Sequence, residues 1–125
     1  VATIERFEEL EVWKVSMDLC SVIYTLTNYE NFTRDFGLKD QIRRAAVSIP
    51  SNISEGYERD SKRQFLYFLV IAKGSCGELR TQLKIARNLN YLDEQTYNTV
   101  NEQCLSVSKQ LKGFINYLKQ YNEKK

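Results

Sequence analysis

Four stretches of the chain repeat apolar residues at helical spacing, and each predicts a helix. In the first, Trp13, Met17, Cys20 and Tyr24 recur at intervals of four, three and four. A second series, Val12, Val15, Leu19, Val22 and Leu26, runs about 100° away on the same helix. Two apolar lines make a face wider than one neighbouring helix requires. The segment "TNYENFTRDFG" then breaks the rhythm.

The second stretch, Ile42, Ala46, Ile49, Ile53 and Tyr57, stays in phase straight through Pro50, the only proline. Proline withdraws one backbone N–H and crowds the carbonyl four residues back, here Ala46. It also disfavours helical angles at the preceding Ile49. A loop would lose the phase, and this stretch does not. The predicted element is one helix kinked near Pro50; the alternative is two short helices, the second capped by Ser48. Ala45, Ser48, Asn52 and Gly56 line up beside the stripe, where their small size lets a neighbouring helix come close. The side chains of Ser48 and Asn52 are expected to satisfy the backbone groups that Pro50 frees. Gly56 is expected to lead out of the helix into the turn "YERD". Ser48, Pro50, Asn52 and Gly56 therefore read as a structural joint and not as an active-site loop.

Ser61 with Gln64 is a capping box that opens the third helix. Its main stripe runs Phe65, Leu69, Ala72, Cys76, Leu79, Leu83 and Ala86, and Asn90 can close it. Gly74 and Gly77 each cost about 1 kcal/mol against alanine in a helix, which suggests close packing there. Asp93 caps the fourth helix, in which Tyr97, Val100, Cys104, Val107, Leu111, Phe114, Leu118 and Tyr121 keep a heptad rhythm. The expected helices cover about 8–29, 38–57, 62–89 and 94–121. Joined by short turns, they predict an all-α fold: one antiparallel, up-down four-helix bundle over residues 1–125, its second helix kinked by proline.

Composition agrees. Apolar residues make up 42% and charged residues 27%, a globular balance, while one proline and five glycines are too few for a sandwich or barrel. No apolar run approaches the roughly 18 residues that span a bilayer, and "VATIERFEEL" does not look like a secretory leader. Three widely spaced cysteines without a C-x-x-C pair argue against disulfides or zinc. A cytoplasmic protein without a membrane partner is expected.

Catalytic chemistry is thinly represented. The absence of histidine removes the commonest general base and metal ligand, and with it the Glu-x-x-His pairs of di-metal bundles. No glycine-rich phosphate loop occurs. We therefore expect no enzyme, cofactor, metal or small-molecule substrate, and assign no catalytic residue. Glu55 and Glu78 could in principle serve as catalytic carboxylates. The plainer expectation for both is an ion pair with Arg43 or Arg44, or a hydrogen bond to the joint.

Charge supplies the functional candidate. Residues 1–30 carry two basic and six acidic groups, a net −4, whereas residues 31–90 carry eleven and six, a net +5. On the third helix Lys73, Arg80, Lys84 and Arg87 all fall within about 40° of the direction of Lys73, with no acidic residue among them. Arg59, Lys62 and Arg63 add charge at the preceding turn. Such a line can neutralise the phosphates of RNA or DNA. It is also what an ordinary solvated helix face looks like.

The run "LKDQIRRAAVSIPSNISEGYERDSKRQFLYFLVIAKGSCGEL", with "LEVWKVSMDL" upstream, resembles the 23S ribosomal RNA intervening-sequence proteins. The likeness spans nearly the whole chain, and "RRAAVSIPSNISEGY" is its most specific part. It implies a four-helix bundle that assembles into a homo-oligomeric ring, a pentamer. The chain is also similar to the accessory variability protein of diversity-generating retroelements, a basic ring that works with nucleic acid. No catalytic residue comes with the resemblance. The expected protein is thus a non-enzymatic, self-associating bundle that binds nucleic acid through its third helix; the alternative is a scaffold or adaptor that binds only protein.

Overall fold

Helices account for each apolar stretch, and no strand occurs among residues 4–123, which the computed structural model describes. A 3-10 turn at Phe7–Glu9 leads into α1 (Glu11–Leu26). Then come α2 (Glu30–Thr33), α3 (Phe36–Glu58), α4 (Lys62–Asn88) and α5 (Glu94–Glu123). The single turn of α2 lies in the segment that broke the rhythm, too short to show a period. Its Phe32 is fully buried and packs on Tyr91, ring centroids 5.4 Å apart.

The four long helices surround one core. α3 packs on α4, α4 on α5, and α1 on α3 and, less closely, α5. Leu19, Ile23, Ile49, Leu69, Leu79 and Leu111 are among its fully buried side chains. On α1 the core line is Val12, Ser16, Leu19, Ile23 and Leu26. Met17 and Tyr24, from the first predicted stripe, remain 41% and 42% exposed. Ser16 is tolerated inside because its hydroxyl donates to the Trp13 carbonyl at 2.8 Å.

α3 runs unbroken through Pro50, which removes the alternative of two short helices. The carbonyl that Pro50 leaves without its usual N–H belongs to Ala46, and the Cys20 thiol of α1 donates to it at 3.0 Å. Burial raises the Cys20 pKa to about 11, so the thiol keeps the proton it donates. Ser48 and Asn52 do something other than expected. Asn52 Nδ2 donates to the Ser48 carbonyl at 2.8 Å, and Ser48 Oγ meets Ser75 Oγ of α4 at 2.9 Å. Ser48 ties α3 to α4, Asn52 bonds back onto Ser48 within α3, and the freed carbonyl is left to Cys20.

Gly56 does not end α3. It lies inside the helix, buried where α4 crosses, and a Cβ on it would come within 2.7 Å of Phe68 Cβ. The left-handed residue of the following turn is Asp60, φ 53°, while Asn90, φ 65°, follows α4. Gly74 and Gly77 also differ from expectation: a Cβ on either would meet nothing within 4 Å. Both expected N-caps form, but the capping box is only half made, because Gln64 Oε1 accepts from Arg59 at 3.1 Å. Ser61 accepts from the Gln64 N–H at 3.3 Å and Asp93 from that of Thr96 at 2.7 Å, which holds the Asp93 carboxyl below its ordinary range.

Arg43 of α3 closes the C-terminal end of α1. Its Nε donates to Thr27 Oγ1 at 2.8 Å and a terminal nitrogen to Asn28 Oδ1 at 3.0 Å, with the guanidinium over the Tyr24 ring. Arg43→Ala is expected to lower stability by about 1–2 kcal/mol, as loss of partly exposed charge-assisted bonds does. Arg43→Lys should recover only part of that, because an ammonium cannot reproduce the fork. Equal unfolding midpoints for parent and Arg43→Ala would count against this role. At the opposite end of the molecule, the Tyr57 hydroxyl donates to the Ile4 carbonyl at 3.2 Å. There too the Lys62 amine lies 4.1 Å from the centre of the Tyr121 ring.

Candidate nucleic-acid interface

α4 carries six basic residues and one acidic residue, a net +5 within one helix. What those charges can do depends on α5 beside it. Arg80 Nε donates to Asn101 Oδ1 at 3.3 Å, Lys84 lies 5.2 Å from the Tyr97 ring centre, and Arg87 pairs with Glu94. Numbers fall on α4 as they rise on α5, so the two helices run in opposite directions.

These contacts sort the seven candidate residues. Arg80 and Lys84 are exposed and Lys73 is partly so, on one line of α4. Arg87 stands on the same line, but its charge is met by Glu94. The basic line is uninterrupted within α4, yet α5 supplies an acid at its end. Arg59 is engaged by Glu55 at 2.8 Å, and its guanidinium covers the Phe68 ring. Lys62 turns its amine away from solvent onto Tyr121. Arg63 is exposed but points about 80° away from Lys73. Lys73, Arg80 and Lys84 form the usable group.

Two residues that the sequence reading passed over extend it. Lys112 and Lys119 follow Asn101 by eleven and eighteen residues, within about 20° of its direction on α5, and both are exposed. The line of α5 that meets Arg80 therefore continues into two lysines. Their spacing from Asn101 was visible in the sequence, but which α5 line faces α4 was not. Tyr91, just beyond α4, is held away from this face: its hydroxyl donates to Asp35 Oδ2 at 3.0 Å.

The carboxylates are placed differently from expectation. Glu55 pairs with Arg59, Arg44 pairs with Asp40 at 2.7 Å, and Arg43 caps α1. Glu78 is exposed and has no hydrogen-bond or ion-pair partner among the described residues. Cys76 and Cys104 are buried, which pushes their thiols to about 11 and about 12 and keeps them protonated. Among the described residues no group of three His, Cys, Asp or Glu could hold a metal, and no helix is long and apolar enough to cross a membrane.

Residues 8–113 match the family described as 23S rRNA-intervening sequence protein. The chain belongs to that family. No curated protein matches it. Among solved structures it is similar to a protein of unknown function from the S23 ribosomal protein family of Bacteroides thetaiotaomicron. The two share 25% sequence identity at a TM-score of 0.78, over 83% of this chain and 97% of that one. Family membership and the shared fold bring no assigned activity to the α4–α5 face, which has to be read from its own residues.

Proposed function

We propose that this chain is a non-enzymatic, cytoplasmic, self-associating protein that holds the sugar–phosphate backbone of RNA or DNA along its α4–α5 face. Its architecture is an antiparallel up-down four-helix bundle, bent in α3 at Pro50, that assembles as a homo-oligomeric ring of five. The observation that carries the nucleic-acid reading is the continuity of Lys73, Arg80 and Lys84 with Lys112 and Lys119 across two helices. Contacts of this kind set affinity and orientation and read little sequence. The nearest aromatic ring, Tyr97, lies beneath Lys84 and Arg87 and is poorly placed to stack on a base. In a ring the face repeats, so weak contacts reinforce one another through effective concentration.

Binding to unrelated RNA and DNA oligonucleotides across a salt series tests this. Affinity should fall steeply with salt and vary little with sequence. Arg80→Glu with Lys84→Glu should weaken binding and flatten the salt dependence by about two phosphate contacts, with helical content and oligomeric state unchanged. No binding by the parent, even at low salt, would make the face an ordinary solvated one. The protein-only scaffold would then be the better reading, supported by the exposed apolar residues Tyr67, Val70 and Met17.

A further inference from the structure

We infer that copies of this chain join through two different faces: the outward line of α4 on one copy and the groove between α1 and α3 on the next. The inference rests on the self-association proposed above and specifies its contact.

On α4, the positions nearly opposite the core stripe are Tyr67, Val70, Gly74, Gly77, Thr81 and Ile85. This is where an amphipathic helix normally carries its charges. None of the six is charged, and Tyr67 and Val70 are 63% and 54% exposed. Both glycines weaken the helix, and neither lets a neighbour within the same copy come closer. What they do provide is a smooth dip in an apolar ridge, open to a surface arriving from outside.

The second face has the matching relief. A groove of about 400 Å³ is lined by Phe7, Trp13, Met17, Cys20, Val47 and Pro50, with Met17 and Val47 standing 41% and 40% exposed. Height along the molecule can be read from cross-helix bonds. Cys20 meets Ala46, and Ser48 meets Ser75, so Met17 and Val47 stand level with Gly74 and Gly77. Phe7 lies edge-on to Trp13 and Tyr57, and Tyr57 to Phe65, which puts the groove's lower end level with Tyr67. Copies placed side by side with their helices parallel would set Met17 and Val47 into the glycine dip, and Tyr67 and Val70 against Phe7 and Trp13.

Charge fits the same placement. Burial, and then the charges of Glu9, Glu58, Asp60 and Glu5, push the Tyr57 phenol above its ordinary range, marking an acidic end to the groove. At that height the α4 line is led by Arg63, exposed and without a partner among the described residues. Since α1 and α4 each pack on both α3 and α5, they occupy opposite corners, and their outer faces point apart. A contact between unlike faces continues from copy to copy and closes where the rotation permits. The basic line lies about 80° around α4, on the α5 side, and stays uncovered.

Sedimentation velocity on three proteins tests the contact: the parent, Gly74→Arg with Gly77→Arg, and Met17→Arg with Val47→Arg. All four positions are exposed, and helical content by circular dichroism checks that each variant is folded. The parent should be an oligomer and each variant a monomer. An equal mixture should form a dimer and nothing larger, because one intact pair of faces survives. Assembly by the glycine variant overturns the contact while self-association stands. A monomeric glycine variant beside an assembled Met17 and Val47 variant means that α4 pairs with its own kind, and also overturns it. Two monomeric variants that give no mixed dimer do the same. A monomeric parent at micromolar concentration overturns self-association itself.

Discussion

Replacing Gly56 with valine is expected to destabilise the fold by about 1–3 kcal/mol, the usual cost of forcing bulk into a packed contact. The first added carbon would already stand 2.7 Å from Phe68 Cβ and 3.1 Å from a ring carbon of Phe65. Phe68 Cβ is fixed to the α4 backbone and cannot swing aside as a flexible chain end can. Valine adds two methyl groups to that conflict, so the crossing of α3 and α4 would have to widen. Gly113→Ala in α5 is the matched control. Its Cβ would meet nothing within 4 Å, and the change should stabilise by up to about 1 kcal/mol through helix propensity. Chemical denaturation of both variants should give midpoints on opposite sides of the parent. An unmoved midpoint for Gly56→Val would mean that α3 and α4 are not in contact at this point.

Cys20→Ala should cost about 1–3 kcal/mol, chiefly because it strands the carbonyl of the buried Ala46 without a donor. Cys20→Ser keeps a donor and should cost less. The decisive comparison is with Pro50→Ala, which returns a backbone N–H to that carbonyl. In the Pro50→Ala background the Cys20→Ala penalty should shrink to the loss of side-chain bulk alone. A double-mutant cycle measures the difference as a coupling energy, expected to be at least about 1 kcal/mol. Simple additivity of the two changes would show that thiol and proline are independent and that the 3.0 Å approach does not matter to stability.

The all-α character and the position of each long helix were legible because periodicity is a local property, carried by stripes such as Phe65 to Ala86. The continuity of α3 was legible for the same reason: Ile49 and Ile53 keep step across Pro50. What could not be read was anything set by a neighbour. α1 has two apolar lines of similar strength, and only the positions of α3 and α5 decide that Leu19 is buried while Met17 is not. The donor to Ala46 comes from another helix, so Ser48 and Asn52, nearer in sequence, seemed the natural choice. Gly56, Gly74 and Gly77 look alike in a sequence, yet one is pressed against Phe68 and two face open space. At the candidate interface the line on α4 was visible, but Glu94, Lys112 and Lys119 joined it only through the register of α5.

The contacts of Ile4 with Tyr57 and of Tyr121 with Lys62 bring both extremities of the described chain to the same pole, beside the turn between α3 and α4. A circle of parallel copies would then be polar, with Ile4 and Tyr121 of every copy on one rim. Domains fused to either end would crown that rim together. The opposite rim, formed by α2 and the turn between α4 and α5, would stay bare.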